Sequence, residues 1–148
     1  MRVEESVIIA CPLEAAFALA GDFANDARWS GAVKESVQIS AGPLGVGARF
    51  RHLTEFMGQR IDATGVLTEY EPPSRSCYRS ESGPIPHRDC RDFAATAEGT
   101  RLTIVLEAEL SGVYRMAEPM IRGAGQQQLR ADLQRLRRLL ESAASPAP

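Results

Sequence analysis

Cysteine is scarce in this 148-residue chain: Cys11, Cys77 and Cys90 are too few and too scattered for a framework of staples. No CxxC pair or Cys/His cluster has the spacing of a zinc site, so reduced thiols and no bound metal are expected. Long apolar runs are missing as well. Without a stretch of about 18 apolar residues there is no membrane span, and the opening MRVEESVIIACPLEAAF carries two early carboxylates where a secretory signal would be uncharged. A cytoplasmic protein is expected. Charge of one sign is not in excess either: Lys plus Arg is 17 against Asp plus Glu 19, a formal net charge of -2, which argues against nucleic acid or an anionic membrane as partner. The loop Gly42-Pro-Leu-Gly-Val-Gly47 lacks the Gly-Lys-Ser/Thr ending of a phosphate cradle and leads into a strand, so it reads as a turn.

What is present describes one ordinary domain. Apolar residues make up 44% and charged residues 24%, close to the globular average, so a real core and a neutral or mildly polar ligand are expected. Val3, Val7 and Ile9 share one parity and mark a strand over residues 2 to 10. Pro12 can open a short helix over 12 to 20, Gly21 stops it, and Asp22 can cap a second that carries Phe23 and Trp29. From residue 32 the period is two, reversing at Gly42-Pro43, Gly58-Gln59, Pro72-Pro73, Gly83-Pro84 and Glu98-Gly99. That spacing predicts strands over 32 to 40, 47 to 57, 60 to 70, 75 to 82, 87 to 96 and 99 to 110, an antiparallel meander. In the last of these Leu102, Ile104, Leu106, Ala108 and Leu110 share one face, so one side of the sheet is covered.

The cover is the carboxy-terminal segment, 113 to 142, whose Leu129, Leu133, Leu136 and Leu140 recur at helical spacing. Its first half differs, with Met116, Met120, Gly123, Ala124 and Gly125 where leucines come later. Each glycine costs a helix interior roughly 1 kcal/mol relative to alanine. Either small and pliable side chains leave room for a ligand between helix and sheet, or the helix kinks or breaks near Gly123 to Gly125.

Several stretches resemble the START-like (SRPBCC, helix-grip) superfamily, and its polyketide cyclase/dehydrase branch in particular. They are Val7-Ile-Ile-Ala-Cys-Pro-Leu-Glu-Ala-Ala-Phe17, Arg28-Trp-Ser-Gly31 followed by Val33, Val37 and Ile39, Gly45-Val-Gly-Ala-Arg-Phe50, Thr68-Glu-Tyr-Glu-Pro-Pro73, and Gly99-Thr-Arg-Leu-Thr103. The resemblance covers about 10 to 142 and implies an α+β helix-grip fold: a seven-stranded curved antiparallel sheet wrapped around a long C-terminal helix, with two short helices between strands 1 and 2. It implies one domain over 1–142; the closing Ala-Ala-Ser-Pro-Ala-Pro reads as a disordered, solvated tail over 143–148. It also implies a cavity for a hydrophobic ligand; the matching residues are scaffold, and none is a catalytic signature.

Chemistry must therefore be sought in the polar residues of the strands. If Phe93 faces the helix, period two sends His87, Asp89 and Arg91 inward with it; the competing register buries Arg88, Cys90 and Asp92 instead. His87 and Asp89 are then candidates for proton transfer, and Arg91 for binding a carboxylate or stabilising an enolate. His52, bracketed by Phe50 and Phe56, is a further candidate acid or base, and Glu35 shares parity with Val33, Val37 and Ile39 and so is expected inside. Trp29, Phe50, Phe56, Tyr78, Phe93, Tyr114, Met116, Met120 and Gly123 complete the expected substrate-binding set. Two functions fit this pattern. One is cofactor-independent acid/base cyclisation or dehydration of a hydrophobic, oxygenated, polyketide-like molecule. The other is a non-catalytic carrier of a lipid or similar ligand in the same cavity. Partners are expected to be that small molecule and not nucleic acid, and a homodimer is compatible with the pattern.

Overall fold

A computed structural model describes residues 1–144 of the chain. Strand β1 (Arg2–Ile9) is followed by helix α1 (Leu13–Ala20), a 3-10 turn (Phe23–Asn25) and the short helix α2 (Asp26–Trp29). Asp22 caps the turn as its type predicts, accepting from the Ala24 amide at 2.9 Å. Six more strands come next: β2 (Val33–Gln38), β3 (Arg49–Phe56), β4 (Gln59–Glu71), β5 (Arg75–Ser80), β6 (His87–Thr96) and β7 (Gly99–Ala108). Each pairs antiparallel with its neighbour in sequence, and β1 closes onto β7, giving the order β1-β7-β6-β5-β4-β3-β2. The curved sheet wraps the C-terminal helix α4 (Glu118–Ala144).

The leucine stripe makes that helix grip. Leu129, Leu133, Leu136 and Leu140 are all buried against Val3, Val7 and Ile9 of β1, Phe93 of β6, and Leu102 and Ile104 of β7. Burial of each such side chain is worth roughly 1.5–3 kcal/mol. A second cluster, Phe23, Ala48, Phe50, Leu67 and Tyr78, fills the other end of the sheet.

Three expectations are corrected. The helix does not break at Gly123 to Gly125 but at Ala117, where helix α3 (Val113–Met116) ends. The signal is Pro119, which has no N–H to give and suits only the first turn of a helix. Helix α4 runs through Ala144, two residues into the stretch expected as tail; the rest of that stretch, 145–148, lies outside the described residues. The thiols are not all reduced: Cys77 of β5 and Cys90 of β6 stand directly opposite each other and form a disulfide on the sheet face away from α4, leaving Cys11 as a buried free thiol.

Candidate functional site

Between the concave face of the sheet and the first turns of α4 lies a cavity of about 290 Å³. Its wall is mostly apolar, with Val3, Ile61, Ile104, Leu106, Ile121 and Leu129 among its residues. The Gly83-Pro84-Ile85 connection between β5 and β6 forms one lip.

The inward register of β6 is the one that carries His87, Asp89, Arg91 and Phe93, and Cys90 and Asp92 face away. His87, Asp89 and Arg91 reach the wall, together with His52, Phe56, Trp29 and Tyr78. Other expected residues do not. Phe50 packs behind the wall in the second cluster, and Phe93 packs on Phe17 with ring centroids 5.1 Å apart. Tyr114 lies outside, its hydroxyl 3.5 Å from Gln59 Oε1. Met116 and Met120 are 86% and 66% exposed, since the break at Ala117 turns this segment outward. Gly123 is exposed too, and the glycine that lines the cavity is Gly125. Glu35 is exposed because the register slips between Val33 and Glu35, so that Val33 reaches the cavity and Glu35 does not.

Arg91 is the hub of the polar wall. Only 3% exposed, it spends all five of its N–H groups on the protein. Nε and Nη2 donate to Asp89 Oδ1 and Oδ2 at 3.1 and 2.9 Å, Nη1 and Nη2 to Asp26 Oδ1 and Oδ2 at 2.8 and 2.9 Å, and Nη1 also to the Ala20 carbonyl at 3.0 Å. The guanidinium lies 3.8 Å over the Phe23 ring. Burial alone would push the Asp26 carboxyl up, but the Arg91 charge and the His52 hydrogen bond outweigh it and hold Asp26 below its ordinary value. Burial likewise works against the Arg91 charge, and Asp26 and Asp89 more than restore it. The expected role of Arg91 as a substrate anchor is corrected accordingly: no donor is left for a ligand.

His52 belongs to the same network, with Nε2 3.1 Å from the Phe23 carbonyl and 3.3 Å from Asp26 Oδ2. Both neighbours only accept, so Nε2 carries the hydrogen. His87 is arranged differently. Its Nδ1 lies 2.9 Å from the Ile85 carbonyl and must donate to it, so that in the neutral ring Nε2 carries the lone pair, with no protein donor among the described residues. The Tyr78 ring sits 6.0 Å from the His87 ring, and burial first, then the charges of Asp26, Asp89 and Glu81, pushes its hydroxyl well above the ordinary phenol value. Gly65 of β4 makes room for that phenol, since a β-carbon there would overlap it. The indole Nε1 of Trp29 is the one buried side-chain polar atom among the described residues with no hydrogen-bond partner.

Sequence reasoning missed Asp26, which reads as a helix-start acid, and Asp132, which is legible as an acid beside Leu129 and Leu133 in the buried stripe. Asp132 accepts from Ser30 Oγ, the Gly31 amide and Gln128 Nε2 at 2.7, 2.8 and 2.8 Å, tying α4 to the end of α2. On the far face, Glu69 Oε lies near the sulfurs of Cys77 and Cys90. The sulfurs are joined and Glu69 is taken by Arg75 and Arg88, so this group is unsuited to a cation.

A curved sheet gripping a helix over a lined cavity defines a START-like, helix-grip protein. The chain belongs to the polyketide cyclase/dehydrase and lipid transport family, whose model matches residues 1–141. Among curated proteins, none matches the sequence. Of solved structures, TTHA0849 from Thermus thermophilus superimposes with a TM-score of 0.84 at 20% identity, covering 98% of this chain and 100% of that one. A START superfamily protein from Mycobacterium smegmatis gives 0.79 at 16% identity, covering 96% and 98%. The Zhui aromatase/cyclase from Streptomyces sp. R1128 also gives 0.79 at 16%, covering 98% and 96%. At these identities the likeness is one of fold.

Proposed function

We propose that the protein binds a hydrophobic, oxygenated small molecule in this cavity and cyclises or dehydrates it by acid/base chemistry, with His87 as base and Tyr78 as proton donor. The observation that carries the reading is the His87 Nδ1 bond to the Ile85 carbonyl, which presents a basic Nε2 on an apolar wall. In a chain of alternating carbonyls, Nε2 takes a proton from a carbon beside a carbonyl. The enolate carbon then bonds to a second carbonyl carbon, whose π electrons move to its oxygen and are protonated there. Loss of that oxygen as water, with a proton from the neighbouring carbon, completes the dehydration. Tyr78, its phenol held protonated, serves the oxygen that gains charge. Asp89, Arg91 and His52, engaged with one another and with Asp26, position the wall and do not touch the reacting atoms in this scheme.

Heptane-2,4,6-trione is a suitable probe, because its aldol closure and loss of one water give 3,5-dihydroxytoluene. Protein that accelerates this conversion, with the acceleration lost in His87→Ala and reduced in Tyr78→Phe, supports the reading. Binding of the trione without acceleration would overturn the catalytic part and leave a carrier.

A further inference from the structure

The cavity wall carries a charge imbalance that bears on what it can hold. Its inward-facing charged residues are three carboxylates, Asp26, Asp89 and Asp132, against two cations, Arg91 and the Met1 amino group; Glu107 alternates with Leu106 and Ala108 and points away with Arg88. Both cations are already countered by anions of the protein. Arg91 has no N–H left, and the Met1 amino group is bonded to the Ala108 carbonyl at 3.0 Å and paired with Glu118 at 3.7 Å. Asp132 is buried and accepts hydrogen bonds from neutral donors alone, a hydroxyl, an amide and a carboxamide, with the Arg135 guanidinium beyond them against Gly31.

A carboxylate ligand entering this space would give up its hydration without gaining an unpaired cation, and would meet an excess of like charge in a low-dielectric wall. Two neutral donors, the Trp29 Nε1–H and the Tyr78 hydroxyl, do not replace the several waters and the counter-ion around an anion. A hydroxyl or amino group meets the opposite situation, because the His87 Nε2 lone pair accepts and the surrounding field favours a donor. We infer that the cavity selects by charge, taking an apolar guest that presents a hydroxyl or amino group and rejecting the matching carboxylate. This rests on the ligand-binding reading above and narrows the class of ligand.

The test is calorimetric titration of the intact protein at pH 8, where free imidazole is uncharged, with three probes on one two-ring skeleton: 2-naphthylmethanol, 2-naphthylmethylamine and 2-naphthoate. The naphthoate is expected to bind more weakly than either of the others by at least fivefold. A smaller gap, or a naphthoate that binds tighter than the alcohol or the amine, overturns charge selection while leaving the cavity as a binding site. No binding by any of the three overturns the ligand-binding reading itself, and this inference with it.

Discussion

The guanidinium of Arg91 on β6 and the carboxylate of Asp26 on α2 meet through two parallel hydrogen bonds of 2.8 and 2.9 Å, across a sequence separation of 65 residues. This pair pins the short helices to the sheet and fixes the polar wall of the cavity. Removing one partner of a buried pair leaves the other uncompensated, at a cost of about 3–5 kcal/mol. Asp26→Asn keeps the shape and loses the charge, so it should lower unfolding free energy by about 3 kcal/mol. Urea unfolding followed by circular dichroism checks this; a loss below the ordinary scatter of surface substitutions would remove Asp26 from the network.

The same pair sets an acid limit. Asp26 titrates in the folded protein below its ordinary value of 3.8, so its contribution is fully present above about pH 5, where an unfolded Asp is ionised. It is lost as pH falls through the folded value. Tyr78 acts at the other end: with its folded value raised above the ordinary 10, its contribution is present below about pH 10 and lost as pH rises beyond it. Urea midpoints across pH 3 to 11 should therefore show Asp26→Asn closing on the wild type at the acid end. Tyr78→Phe should flatten the alkaline decline.

The disulfide gives a count that can be read directly. Denatured but unreduced protein should offer one thiol to a thiol reagent, that of Cys11, and three after reduction. With a sequence separation of 13 between Cys77 and Cys90, loop closure is worth about 3 kcal/mol. The double substitution Cys77→Ala/Cys90→Ala should be destabilised by a comparable amount. Three reactive thiols before reduction would show that the bridge does not form.

How much of this was legible follows the range of the interaction. Strand alternation in Leu102, Ile104 and Leu106 and the leucine spacing of α4 are local patterns, and they delivered the sheet and the helix; alternation in β6 left two registers open, of which the structure has the one with His87 and Asp89 inward. The Cys77–Cys90 pairing was within reach by counting outward from the Gly83-Pro84 turn, since hairpin register places them opposite. Glu35 went wrong because one register slip in β2 reverses the faces on either side of it. Met116 and Met120 were placed inside on an unbroken helix that Pro119 does not permit. The partnership of Arg91 with Asp26 left no local trace: it joins two distant elements, and each residue alone reads as an ordinary charge.

Gly123 and Gly125 separate the two explanations for a glycine-bearing helix. Gly123 faces open space, with nothing within 4 Å of where a β-carbon would stand. Gly123→Ala should therefore stabilise α4 by about 1 kcal/mol through helix propensity alone, with ligand binding unchanged. Gly125 lines the cavity, where its β-carbon would meet only Val3 Cγ2 at 3.9 Å, so a larger side chain can enter the empty volume without striking backbone. Gly125→Leu should fill part of the space and weaken binding of 2-naphthylmethanol at least tenfold while the fold is retained. The absence of leucine at this end of α4 keeps that volume open, and equal affinity in the two variants would show that the small residue at 125 serves packing alone.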